Sequence, residues 1–181
     1  EEACAARPPP GERRRTAPPQ SHTLFSWTGM VFEVTLGRTN KNSGVHWPQL
    51  IKRLRTQEES EAFQRKLAHS KRVFSAQTDY TEENFTFGTT MLQGWYKLSK
   101  YGCIEDVLKQ PGSQYIVFGS SSGLLAFFGS MLWDIETTGY EILPCLHEVA
   151  QKAVDAFSVE QVYFRCGDAL TAPLPPPRPR S

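Results

Sequence analysis

Gly119, Ser120, Ser121 and Gly123, with Ser122 among them, form a run of small residues directly after the apolar stretch Tyr115, Ile116, Val117 and Phe118. Glu141 follows Gly119 by 22 positions, and Asp168 stands further on, just after Gly167. Small residues at such a point let the backbone turn sharply and come close to a ligand. A carboxylate about 20 residues beyond a glycine turn is the spacing with which nucleotide-type sites hold ribose hydroxyls. Taken singly, each feature has a plainer explanation. Gly119–Gly123 can be any tight strand-to-helix turn, Glu141 a surface carboxylate at a strand end, and Asp168 a turn aspartate. Taken together they point to a dinucleotide- or adenosyl-type site.

The elements that would position these residues can be read from periodicity. Tyr115 to Phe118 is continuously apolar and partly β-branched, as in a strand buried on both faces. Leu124, Leu125, Phe127, Phe128, Met131 and Leu132 recur at helical spacing. Thr137 to Tyr140 reads as a second strand with Glu141 at its end. Pro144 then suits the first turn of a helix, where its missing N–H does no harm, and Leu146, Val149, Ala150, Ala153, Val154 and Phe157 supply that helix with an apolar face. Val159 to Arg165 is a third strand, with Val162 and Phe164 pointing one way. The fold class is therefore α/β, a partial Rossmann-like parallel sheet in the order strand–helix–strand–helix–strand. Ligands of such sheets bind at the carboxyl ends of the strands. Gly119, Glu141 and Asp168 all fall there, so one crevice can receive all three.

Upstream, residues 1–22 are rich in proline and carry Arg13, Arg14 and Arg15. They have little to bury and are expected to be disordered; the arginines offer the chain's one weak nucleic-acid signal. Residues 23–112 form a mixed N-terminal region. Phe32, Val34 and Leu36 alternate as in a half-buried strand, and Val45, Trp47, Leu50, Ile51 and Leu54 suit a short helix after Pro48. Thr56 with Glu59 has the pattern of a capping box opening a clearer helix, with Ala62, Phe63 and Leu67 as its stripe. Phe85 and Phe87 alternate as a strand that Gly88 breaks. Thr89 or Thr90 then caps a helix with Met91, Leu92, Trp95, Tyr96 and Leu98 as its core face, which Gly102 ends. Ile104, Val107 and Leu108 give another short helix, stopped by Pro111 and Gly112. Residues 113–170 hold the nucleotide-binding core, and 171–181, TAPLPPPRPRS, are expected to be an unstructured tail.

Composition narrows the function classes. The 181 residues carry a net charge of +1, with 22% charged and 39% hydrophobic, so no strong field directs the chain to nucleic acid or a membrane. No apolar run reaches the length of a membrane span; the longest, Leu124 to Leu132, reads as a buried helix. Cys4, Cys103, Cys145 and Cys166 are scattered with no CxxC pair, which speaks for reduced thiols in an intracellular, cytoplasmic or nuclear protein and against a structural zinc site. His147 and Glu148 read as helix-surface residues rather than a metal or acid–base pair. The chain begins with Glu1 rather than Met, which points to a fragment, an incomplete gene model or a processed product.

Three stretches carry a resemblance to a known family: FGSSSG at Phe118 to Gly123, GYEILPCLHEVA at Gly139 to Ala150, and CGDAL at Cys166 to Leu170. Here the sequence resembles the class I S-adenosylmethionine-dependent methyltransferases, most of all the non-SET histone-lysine methyltransferases of the disruptor of telomeric silencing type. The similarity runs from about Phe85 to Leu170. It implies S-adenosylmethionine as cofactor, with its methionine portion against the turn at Gly119, Ser120, Ser121 and Gly123. Glu141 would accept hydrogen bonds from both ribose hydroxyls, and Asp168 would contact the adenine amino group. FTFGTT at Phe85 to Thr90 resembles the family's cofactor-contacting loop, which adds Gly88 and Thr89. The acceptor the resemblance implies is a lysine of a protein substrate. The sequence departs from the family in two places: Val117 stands where the first strand has an acid, and Ser121 where the turn has its middle glycine. After Asp168 the sequence turns to prolines, so only the nucleotide-binding half of the fold is expected, and no residue is identified as catalytic.

Three functions remain open on these residues: a methyltransferase; a non-catalytic or degenerate adenosyl-binding or interaction module, which Val117, Ser121 and the absent second half would favour; and a nicotinamide-dinucleotide enzyme. The last ranks lowest because GSSSG lacks the third glycine of G-x-G-x-x-G.

Overall fold

A computed structural model describes residues 21–27, 30–36, 42, 44–85, 92–108, 110 and 112–176, with backbone alone for the first two of these segments. The expected strand–helix–strand–helix–strand unit is present. β3 (Gln114–Phe118), β4 (Glu136–Glu141) and β5 (Val162–Cys166) form a parallel sheet in the order β3-β4-β5. α5 (Leu124–Trp133) connects the first pair and α6 (Pro144–Phe157) the second. Pro144 stands in the first turn of α6, as its fixed φ favours.

The register is continuous across the sheet. Val117 lies beside Gly139, and Gly139 beside Phe164. The Phe164 ring packs on Phe127 of α5, with centroids 5.3 Å apart, and fills the space over β4. A Cβ at Gly139 would come within 2.7 Å of that ring, so only glycine fits beneath it. This corrects one expectation. The strand buried on both faces is β4, whose residues from Thr137 to Glu141 are all buried, and not the apolar β3. Among the described residues β3 is an edge strand, and Phe118 at its end is 58% exposed. Sheet order decided this, since the middle strand is covered whatever its composition.

A helical layer from the N-terminal region packs on α5 and α6. α1 (Trp47–Glu59) buries Trp47, Leu50, Ile51 and Leu54, a stripe at i, i+3, i+4 and i+7. Its length corrects the expected break near Thr56, which lies inside α1. The apolar stripe keeps the helix going, and the chain breaks instead at Ser60. The Ser60 hydroxyl accepts a hydrogen bond from the Phe63 N–H and caps α2 (Glu61–Gln77). Phe85 is buried, but in a 3-10 turn (Glu82–Phe85) and not in a strand. It closes an aromatic column, edge-on to Phe74 (5.5 Å) and to Tyr80 (5.9 Å).

α3 (Leu92–Ser99) is present, with Leu92 buried, but Leu98 is 40% exposed and off the core. Gly102 opens α4 (Gly102–Leu108) rather than ending α3. Near the N-terminus, β1 (Ser21–Trp27) pairs antiparallel with β2 (Met30–Leu36). β1 therefore starts inside the segment expected to be disordered. Residues 171–176 form no helix or strand, and Pro173 O accepts the Tyr140 hydroxyl at 2.7 Å. Among the described residues no helix is long and apolar enough to cross a membrane.

One polar contact ties the region before α1 to the far end of the sheet unit. Asn42 is 2% exposed. Its amide donates to Glu160 O and accepts from Glu160 N–H, both at 2.7 Å, so it matches both backbone groups of one residue. Removing it leaves those groups unpaired at a partly buried position. Asn42→Ala should cost about 2 kcal/mol of unfolding free energy, and Asn42→Asp should not restore it, because a carboxylate would face the Glu160 carbonyl. Urea denaturation of the two variants checks this.

Candidate functional site

The carboxyl ends of β3, β4 and β5 are stitched together by backbone hydrogen bonds. Ser120 N–H donates to Tyr140 O (2.8 Å), and Gly167 N–H donates to Glu141 O (2.9 Å). The small-residue turn, Glu141 and Asp168 therefore stand side by side across two strand spacings, roughly 10 Å, the scale of a nucleoside. Gly119 (φ +65°) and Gly167 (φ +154°) border open space, where an added Cβ would meet nothing within 4 Å.

Glu141 is 5% exposed. One of its carboxylate oxygens accepts the Ser121 N–H at 2.7 Å and the other the Leu143 N–H at 2.9 Å. The side chain thus joins the turn, the end of β4 and the start of α6. Burial pushes its pKa up; the hydrogen bonds from Leu143, Ser121 and Ile142 pull it back only in part. A raised carboxyl pKa means that the charged form is disfavoured in the folded state. Glu141 therefore lowers stability at neutral pH, and that cost fades as pH falls through the raised value.

The turn itself is strained at one residue. Ser121, which stands where the family's turn has its middle glycine, has φ +56°, in the left-handed region that favours glycine. Its hydroxyl is buried and finds no hydrogen-bond partner. The Ser121 N–H bond to Glu141 holds this conformation. Ser122 is fully buried and donates its hydroxyl to a carboxylate oxygen of Glu58 on α1. Burial raises the Glu58 pKa, opposed by the Ser122 bond and the charge of Arg55. The turn thus takes a carboxylate from a neighbouring helix, while its own strand carries the buried, apolar Val117. Gly123 (φ +94°) ends the turn and caps α5; a Cβ there would come within 2.6 Å of the Phe164 ring.

Asp168 follows β5. One oxygen accepts the Tyr80 hydroxyl at 2.7 Å and the other the Leu170 N–H at 2.8 Å. These bonds, Tyr80 first, hold its carboxyl below the usual range.

Gly119, Ser120, Ser121, Gly123, Glu141 and Asp168 are thus brought together. Gly88 and Thr89 lie outside the described residues, as do Arg13, Arg14 and Arg15. Glu58 and Tyr80 are contacts that sequence reading missed. They lie 64 and 88 residues from their partners, and no local pattern marks them. Glu148 is a surface residue of α6, paired with Lys66 and Lys152 at 2.5 and 2.8 Å, which lowers its pKa to about 2. No group of three His, Cys, Asp or Glu able to hold a metal occurs among the described residues. A shallow depression on α1, lined by Gln49, Lys52, Arg53, Thr56, Gln57 and Ser60, shares no residue with the strand ends.

No protein-family model matches the sequence, and no curated protein does. Among solved structures, the chain is similar to a SAM-dependent methyltransferase from Thiobacillus denitrificans in complex with S-adenosyl-L-homocysteine. Identity is 28% and the TM-score 0.30, over 36% of this chain and 27% of that one. It is also similar to a protein-L-isoaspartate O-methyltransferase, at 18% identity and a TM-score of 0.32, over 67% of this chain and 42% of that one. The chain spans less than half the length of either.

Two substitutions in the turn have opposite expected signs. Ser121→Gly removes the left-handed strain and the orphaned hydroxyl and should stabilise the fold by about 1 kcal/mol. Gly123→Ala adds a Cβ against Phe164 at a positive φ and should destabilise it by about 3 kcal/mol. Thermal and urea denaturation measure both.

Proposed function

We propose that the crevice at the strand ends binds S-adenosylmethionine and that the chain is a methyltransferase acting on a protein lysine. The observation that carries this reading is the Glu141 carboxylate, held at the end of the middle strand by the Ser121 and Leu143 N–H groups, with the turn on one side and Asp168 on the other. The residues fit the group. The open space at Gly119 and Gly167 admits a ligand to the backbone. The Ser121, Leu143 and Ile142 N–H groups leave the Glu141 carboxylate with about one of its four lone-pair sites, which can accept a ribose hydroxyl without displacing an N–H partner.

In this reading the edge of the turn at Gly119, Ser120 and Ser121 meets the methionine portion. Glu141 holds a ribose hydroxyl, and Asp168 accepts from the adenine amino group. When bound, the cofactor supplies a methyl group on a sulfonium. The protein's part is to hold that group in line with the acceptor, which is mainly a matter of positioning. The lysine acceptor, a histone substrate and a cytoplasmic or nuclear compartment rest on the sequence resemblance at FGSSSG, GYEILPCLHEVA and CGDAL. No catalytic residue is assigned. A second reading, a non-catalytic adenosyl-binding module, is favoured by two observations: Val117 is buried and apolar, and Ser121 is strained.

Calorimetric titration with S-adenosylhomocysteine tests the binding. The wild type should bind it and ignore NAD. Glu141→Ala, with its circular dichroism intact, should bind at least about tenfold more weakly, or about 1.4 kcal/mol; unchanged affinity would overturn the assignment. Protonation of Glu141 removes an acceptor, so affinity should fall as pH is lowered through its raised pKa, before an ordinary carboxylate would titrate. Transfer of labelled methyl to histones separates the enzyme from the silent module.

A further inference from the structure

Tyr80 lies between α2 and the 3-10 turn, outside the sheet unit, yet its hydroxyl is bonded to Asp168. The aromatic column aims it there: Phe74 meets buried Phe85 edge-on, and Phe85 meets the Tyr80 ring. At the backbone, Tyr80 N–H donates to the Thr78 hydroxyl at 3.3 Å, which itself donates to Phe74 O at 2.9 Å. The tyrosine is therefore held at its ring and at its main chain.

Its partner has one chemical character left. With the Tyr80 hydroxyl donating to one oxygen and the Leu170 N–H to the other, Asp168 stays ionised and offers only lone pairs. A carboxylate in that state takes an N–H donor and is repelled by a carbonyl. We propose that Tyr80 is a specificity-determining positioning residue, which holds Asp168 as an acceptor so that the crevice takes a base bearing an exocyclic amino group and excludes the 6-oxo analogue. The proposal rests on the adenosyl reading above and adds to it the base selection and the residue that enforces it.

The test uses the full chain, wild type and Tyr80→Phe, titrated with S-adenosylhomocysteine and with S-inosylhomocysteine, in which a carbonyl replaces the amino group. Tyr80→Phe keeps the ring contact with Phe85, so the column survives. The wild type should prefer the adenosyl compound by about a hundredfold or more. Tyr80→Phe should weaken adenosyl binding about tenfold, narrow the preference, and add a loss of affinity at acid pH as the Asp168 pKa returns toward its ordinary value. Asp168→Asn, whose amide can turn its N–H₂ to a carbonyl, should bind the two compounds within a few-fold of each other. If the wild type binds the adenosyl compound and Tyr80→Phe changes neither preference nor pH profile, the proposal fails and the adenosyl reading stands. If the wild type binds neither compound, the adenosyl reading fails and the proposal falls with it.

Discussion

The structure depends on one buried charge. Glu141 is almost wholly removed from water, and its carboxylate holds two backbone N–H groups that would otherwise lack a side-chain partner: one in the strained turn, one at the start of α6. Burying an ion is costly unless it is hydrogen-bonded, and here the bonds recover only part of that cost, as its raised pKa shows. The same contact gives the strand ends their order. It keeps Ser121 in a backbone conformation that a serine does not favour, and it fixes where α6 leaves the sheet.

Around this charge, packing is set by one ring. Phe164 crosses β4 to reach Phe127 of α5, and it does so through space that Gly139 and Gly123 leave empty. At Gly139 the middle strand therefore has no side chain, and the space there is filled by the Phe164 ring from its neighbour, while Tyr140 of the same strand is itself fully buried. A side chain of phenylalanine size contributes roughly 1.5–3 kcal/mol on full burial, so the glycines matter for what they admit.

The N-terminal helices do more than cover α5 and α6. They deliver Glu58 to the turn and Tyr80 to Asp168. The strand ends thus receive polar contacts from a second layer, at the turn after β3 and at Asp168 after β5. Such supporting contacts hold the side chains they reach in a defined orientation.

The sequence by itself determined the alternation of strands and helices after residue 113, and the placing of Gly119, Glu141 and Asp168 at strand ends. Those features follow from apolar periodicity and turn chemistry, which act between near neighbours. It misplaced the start of α2, because Ser60 and Thr56 offer similar caps and only the burial of Trp47, Leu50, Ile51 and Leu54 shows which one ends α1. It took Phe85 for a strand residue, because a short alternation is indistinguishable from a turn whose aromatic faces inward. Tertiary structure alone decided which strand lies in the middle, that Ser121 is left-handed, and that Asn42, Glu58 and Tyr80 reach residues 118, 64 and 88 positions away. A polar side chain has no period, and its partner is chosen only once the packed layers bring distant backbone together.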